Sequence, residues 1–271
     1  MGFEIFGLSI RWYGVIIAAA ILIAVLIGMR VLKKAGYKED ISFEVMLAIV
    51  PIGILGARLY YIIFSGTSIT DFFRFRDGGM AIYGAIIAGA IALFVYTRFI
   101  KKCSYFAVAD VLVIVLIIAQ SIGRWGNYFN SEVYGFEVGF NFFPLTVEVS
   151  GRYHLATFFY ESILNLIGFF ILLKIFSKQK KIGTTTASYL IYYGIVRAIL
   201  EPLRVPGYVL MIGPIAVSFL VSLIAICAGG VILYLNHKGL ISQKNASLLA
   251  SEIPSEKKPK KPKQQAGEKH E

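Results

Sequence analysis

Residues 12–29 read W-Y-G-V-I-I-A-A-A-I-L-I-A-V-L-I-G-M, eighteen positions without a charge. Wound as an α-helix at about 1.5 Å per residue, such a run spans most of the ~30 Å of bilayer hydrocarbon. Two more runs, 80–97 and 205–236, are equally free of charge. Composition agrees: 57% of the 271 residues are apolar, 16% are charged, and the mean hydropathy is +0.71. Soluble domains run at about 45–50% and about 25%. Four less cleanly bounded candidates follow at 43–64 (interrupted by Glu44 and Arg58), 108–123, 153–173 and 185–203. The expectation is an all-α polytopic membrane protein of seven spans over residues 1–240, with an outward segment at 128–156.

The short loops set the orientation. Basic residues collect in 30–40 (Arg30, Lys33, Lys34, Lys38), 98–102 (Arg98, Lys101, Lys102) and 174–181 (Lys174, Lys178, Lys180, Lys181). These are the odd-numbered connections, so the positive-inside rule puts the N-terminus outside and the C-terminus in the cytoplasm. Segment 66–79, with Arg74 and Arg76, runs against the trend. The first span does not read as a cleavable signal, because Arg11 is its only early positive charge and no small-x-small site follows.

The net charge of +11 comes mostly from these loops and from the tail. Residues 244–271 hold seven lysines and three prolines, so 241–271 is expected to be a disordered basic tail. Solvation near anionic lipid accounts for it better than nucleic acid binding. Cys103 and Cys227 have no metal-type spacing, and neither a disulfide nor a metal site is expected.

Against this apolar background, residues 121–135 (S-I-G-R-W-G-N-Y-F-N-S-E-V-Y-G) stand out. Arg124, Asn127, Asn130 and Glu132 fall within nine positions, with Gly123, Gly126 and Gly135 among them. An arginine deep in a membrane costs ~2.5–3.5 kcal/mol on insertion scales and requires a partner or a task. Glu161, in another apolar run, needs a positive partner for the same reason. Arg197, Glu201 and Arg204 are spaced by four and three, which places them on one helical face, and Pro202 should disturb that helix.

Other positions read less sharply. Arg58 either snorkels to the surface or lines a cavity. Tyr13, beside Trp12, and Tyr83 fit interfacial anchors on periodicity alone. The alternating T-V-E-V at 146–149 suits a small hairpin over the membrane surface.

On the outward half, Arg124, Arg197 and Arg204 leave positive charge in excess. Guanidinium forks suit bidentate phosphate recognition, so an anionic, phosphate-bearing lipid is the expected ligand, with Asn127 and Asn130 bonding its hydroxyl or ester oxygens. There is no H-E-x-x-H and no G-x-S-x-G motif, and His154 is the one outward histidine. Hydrolase chemistry is poorly supported.

Residues 123–135, G-R-W-G-N-Y-F-N-S-E-V-Y-G, resemble the signature G-R-x-G-N-x-x-N-x-E-x-x-G of bacterial prolipoprotein diacylglyceryl transferases. Further blocks agree in order: R-W-Y-G at 11–14, G-A-R-L-Y-Y at 56–61, G-G-M-A-I-Y-G at 78–84, T-F-F-Y-E-S at 157–162 and R-A-I-L-E-P-L-R at 197–204. The resemblance implies a seven-span enzyme of the bacterial inner membrane with its site toward the outer face. It implies transfer of the sn-1,2-diacylglyceryl group of phosphatidylglycerol to the lipobox cysteine of a prolipoprotein. A thioether forms, glycerol 1-phosphate leaves, and no cofactor takes part. On the family pattern, Arg124 binds phosphatidylglycerol and Arg197 is a second essential arginine. Tyr13, Asn127 and Gly135 match important positions, Glu132 and Glu201 orient the arginines, and Arg204 is their neighbour. Asn130 belongs to the same signature.

Two positions depart from the pattern. Tyr83 stands where many members have a histidine considered as the base, and Ala156 stands where proline is usual. With a reference pKa near 10, a phenol is a poor base at neutral pH, so Tyr83 is expected to hydrogen-bond only. A lipid transporter or a non-catalytic lipid-binding relative are the other readings, although the repeats common in transporters are not visible.

Overall fold

The computed structural model describes residues 2–5, 8–74 and 79–241. Arg76, Gly78 and the basic tail lie outside the described residues. Seven α-helices occur among them: α1 (Trp12–Lys34), α2 (Asp40–Ser65), α3 (Ile82–Val95), α4 (Tyr105–Asn130), α5 (Thr157–Lys178), α6 (Thr184–Leu200) and α7 (Val217–His237). Three antiparallel hairpins accompany them: β1 (Gly2–Ile5) with β2 (Leu8–Arg11), β3 (Thr146–Val149) with β4 (Arg152–Leu155), and β5 (Met211–Ile212) with β6 (Ile215–Ala216). The hairpin expected at 146–149 is therefore present.

Six helices are long and apolar enough to cross a membrane, α3 being extended by a π turn at Tyr96–Ile100. At 17 residues, α6 is the shorter one. This is a polytopic helical membrane protein, its backbone polar groups satisfied within each helix as a bilayer requires.

Helix α4 is the central element. More than half of its most apolar stretch is buried, against about a tenth for α7. Its core residues Ile114 and Ile117 are fully enclosed, and Leu172 of α5 and Leu32 of α1 pack in the same cluster. Helices α2 and α3 cross where Gly56 meets Gly84: a Cβ on Gly84 would lie 2.3 Å from the Gly56 carbonyl oxygen. Backbones approach this closely only where neither residue has a side chain.

Several expected boundaries move. The fourth span does not end at Gly123, because α4 continues to Asn130 and carries most of the polar signature as helix. No proline interrupts that stretch, and its glycines face other helices: a Cβ on Gly126 would meet the Tyr13 ring at 2.7 Å. The fifth helix starts at Thr157, since Tyr153 belongs to β4. Helix α6 stops at Leu200 and passes into a 3-10 turn over Glu201–Leu203, as Pro202 lacks the N–H and restrains its predecessor. The seventh helix starts only at Val217, after a 3-10 turn (Pro206–Tyr208) and the β5–β6 hairpin.

At the far end of the bundle, α6 has no local side-chain cap at Gly183. Asp110 of α4 takes that place: it accepts from Gly183 N at 2.7 Å, Thr186 N at 2.8 Å, Thr186 Oγ1 at 2.6 Å and Gln179 Nε2 at 3.0 Å. Its negative charge also lies at the positive end of the α6 dipole.

Candidate active site

Four chain segments bring their charged residues together at the other end of the bundle. Glu161, in the second turn of α5, is fully buried and accepts from three arginines. Arg124 Nη2 of α4 donates to Oε1 at 2.7 Å. Arg197 Nη1 of α6 donates to Oε2 at 3.2 Å, and Arg204 Nη2, beyond the 3-10 turn, donates to the same oxygen at 2.9 Å. Tyr193 Oη donates to Oε1 at 3.2 Å.

Glu201 is the second anionic partner. It accepts from Arg197 Nη2 and lies 3.8 Å from Arg204 Nη1. The 3-10 turn imposed by Pro202 keeps Arg197, Glu201 and Arg204 converging after α6 has ended, so the one-face expectation for them holds.

Among the directly paired groups three guanidiniums face two carboxylates, an excess of one positive charge, with Glu132 one residue removed behind Asn127. Arg204 Nε is buried and makes no hydrogen bond. Burial, with Arg197 and Arg124 nearby, pushes the Arg204 guanidinium down to about 10, and it remains cationic at neutral pH. Among the three, Arg124 has the most accessible side chain, 22% exposed against 11% and 8%.

The signature folds into a relay beside Arg124. Arg124 Nη1 donates to Asn127 Oδ1 at 3.4 Å, while Asn127 Nδ2 and Asn130 Nδ2 each donate to Glu132 Oε1 at 3.1 Å. Glu132 thus orients Arg124 only through Asn127, and the carboxylate that grips Arg124 directly is Glu161. After α4 the chain turns with Ser131 at φ 51° and Val133 at φ 56°. Left-handed backbone at a β-branched residue costs of order 1–3 kcal/mol and persists only where surroundings enforce it. Thr157 Oγ1, donating to Val133 O at 2.7 Å, is one such restraint.

Gly135 contributes no side chain and spaces two strands of chain. Its N–H donates to Leu155 O at 2.8 Å, and it bridges to Arg204. A Cβ there would lie 2.6 Å from Leu203 O. His154 Nδ1 lies 3.0 Å from Gly135 O, which can only accept, so His154 is a fixture of this crossing.

Both tyrosines lie within electrostatic range of the cluster. Tyr13, in the first turn of α1, lies over Gly126 with Glu132 and Arg124 as its charged neighbours. Tyr83, at the start of α3, has Arg197 and Glu201 as charged neighbours and Tyr60 beside it.

Arg58 does neither of the things expected of it. It is buried and donates to the carbonyls of Asp71 at 2.6 Å, Gly79 at 3.0 Å and Phe72 at 3.3 Å, which pins the α2–α3 connection. Among the described residues no group of His, Cys, Asp or Glu is arranged to hold a metal ion.

The sequence model of the family described as prolipoprotein diacylglyceryl transferase matches residues 1–235. The chain belongs to that family. It is 35% identical to the phosphatidylglycerol–prolipoprotein diacylglyceryl transferase of Clostridioides difficile (strain 630) over 257 residues, covering 93% of this chain and 99% of that one. The enzyme of the same name from Clostridium kluyveri (strain ATCC 8527) is 39% identical over 237 residues, 83% of this chain and 92% of its own. That of Listeria monocytogenes serotype 4b (strain CLIP80459) is 35% identical over 249 residues, 87% and 89%. The matched length takes in nearly all of the described residues.

Glu161 is the residue that sequence reasoning placed least well. A lone carboxylate in an apolar run marked it as needing a cation, but not as the common acceptor of three. Tyr193 carried no signal at all.

Proposed function

We propose that this chain is a phosphatidylglycerol–prolipoprotein diacylglyceryl transferase, performing the first step of lipoprotein maturation. The name of its relatives supports the reaction, and the observation that carries it to these residues is the arginine cluster with its surplus positive charge. The headgroup phosphate of phosphatidylglycerol occupies the space before Arg124 and Arg197, with Arg204 behind them. Asn127 and Asn130 hold the signature turn, with Glu132 as their acceptor, and Glu201 and Glu161 fix the guanidinium planes. Tyr13 and Gly135 shape the two sides of the ligand's seat.

In the reaction the lipobox sulfur bonds to the terminal glyceryl carbon of the diacylglycerol unit. The bond from that carbon to the phosphate oxygen breaks, and glycerol 1-phosphate leaves with the electron pair. Charge develops on the phosphate, where preorganised guanidiniums act most strongly in a water-poor site. The attacking group comes from the substrate, so no nucleophile of the enzyme is needed. The thiol must lose a proton, and a positive field favours the thiolate. Tyr83 contributes a hydrogen bond within that field. Glu161 spends both oxygens on guanidiniums and Tyr193 and does not serve as the base.

The chain crosses the bacterial inner membrane seven times, α6 included, with the N-terminus and the site outside and the basic loops and tail in the cytoplasm. Residues 1–240 form the membrane domain.

The test is transfer from labelled phosphatidylglycerol to a lipobox peptide. Arg124→Ala is expected to lose about 10²–10³-fold, the scale of one lost transition-state donor, while Tyr83→Phe keeps most activity. Product from Tyr83→His but none from the wild type would show a binding protein that lacks the chemistry. Lipid bound but no product from either would favour transport instead.

A further inference from the structure

Two hairpins leave the bundle near the charge cluster with opposite chemistry. In β3–β4, Glu148 and Ser150 are exposed, and Arg152 pairs with Glu137 at 3.0 Å with both side chains more than half exposed. That hairpin is built for water. The segment 209–216, V-L-M-I-G-P-I-A, contains no polar side chain. It forms β5–β6, pairing Met211 with Ala216 and Ile212 with Ile215 around a tip at Gly213 (φ 58°) and Pro214. Leu210 is 66% exposed, Ile212 65%, Met211 48% and Ile215 44%.

Four large apolar side chains held in water on so short an element are unfavourable. No protein surface covers them among the described residues. Their continuation does point to an occupant: α7 begins at Val217 with no spacer, Val217 N donating to Leu210 O at 2.8 Å, and α7 is the helix least buried by protein. The apolar surface of the hairpin runs directly into that of a membrane span.

We infer that the β5–β6 hairpin lies in the bilayer, at the boundary of headgroups and acyl chains on the side of the charge cluster. Depth follows from the backbone. A two-stranded ribbon keeps unpaired N–H and C=O groups along both edges, which hydrocarbon does not tolerate and the hydrated interface does. Ile212 and its cross-strand partner Ile215 share one face of the ribbon, which turns to the acyl chains, while the edges stay among headgroups and water. Because Arg204 precedes the segment by five residues, the anchor also fixes the level of that arginine. The inference is independent of the transferase chemistry.

The full chain, with Cys103→Ala and Cys227→Ala, would carry an environment-sensitive fluorophore on Ile212→Cys or, as the aqueous reference, on Ser150→Cys. In nanodiscs of phosphatidylcholine and phosphatidylglycerol, lipids with a nitroxide at acyl carbon 5 or 12 report depth, and iodide reports water. The expected result is stronger quenching at Ile212 from carbon 5 than from carbon 12, with iodide quenching several-fold weaker than at Ser150. Iodide quenching equal to that at Ser150 would overturn the inference. Quenching by neither agent would place the hairpin against protein and overturn it too. Loss of the lipid quenching on adding a lipobox peptide would make the hairpin the peptide's seat, with the same consequence. Should Ile212→Cys not fold, Ile215→Cys, its cross-strand partner on the same face, decides by the same readings.

Discussion

Glu161 holds the charged end of the bundle together, and its replacement separates positioning from binding. In Glu161→Gln the amide offers one acceptor where the carboxylate served three guanidiniums and a phenol. Breaking a buried ion pair by removing one partner costs about 3–5 kcal/mol, so a clear drop in thermal stability in detergent is expected together with loss of transfer. Arg124→Ala should lower activity as severely with a smaller stability loss, because Arg124 is the most accessible of the three and Glu161 keeps two other cations. Equal stability losses in both would contradict this division of roles. The arginines themselves were legible in the sequence, since charge in an apolar run is costly and the spacing 197, 201, 204 names a common face. The convergence was not, because the partners of Glu161 come from α4, α6 and the turn beyond it, and no local spacing records that meeting.

Among the elements, the joint between α4 and α6 deserves its own test. Asp110 satisfies two backbone N–H groups and two side chains at the start of α6. Asp110→Ala strands those buried donors at roughly 1–3 kcal/mol each in the worst case. A lowered unfolding temperature is expected, with transfer per folded molecule retained at low temperature; abolished transfer in a fully folded variant would count against a purely structural role. Helix existence was legible throughout from the length of apolar runs. Their ends were less so. The run 205–236 reads as one span, yet Pro206, Gly207, Gly213 and Pro214 break its first third into a turn and a hairpin. The span read at 108–123 stops short of most of the polar signature, yet glycines packed against α1 let the helix run on to Asn130.

For the whole molecule, the loop charges and the site lie at opposite ends of the bundle. The basic segments around Lys33, Lys101 and Lys178 follow the ends of α1, α3 and α5, while Tyr13, Arg124, Glu161 and Arg197 gather at the other end. In intact cells a cysteine at Ser150 should react with an impermeant maleimide, and one at Lys178 should react only after permeabilisation. The reverse pattern would invert the proposed topology.

At 17 residues, α6 is about 25 Å long, short of the ~30 Å of hydrocarbon around it. A short span draws the surrounding leaflets together. In the seven-span topology proposed above, Arg197 and its partners would then lie below the mean plane of the headgroups, in a local dimple of the bilayer beside α6. A lipid reaching them descends with its leaflet and need not be lifted out of it. That topology predicts a rate set in part by membrane thickness, with transfer faster in nanodiscs of shorter acyl chains than in thick ones.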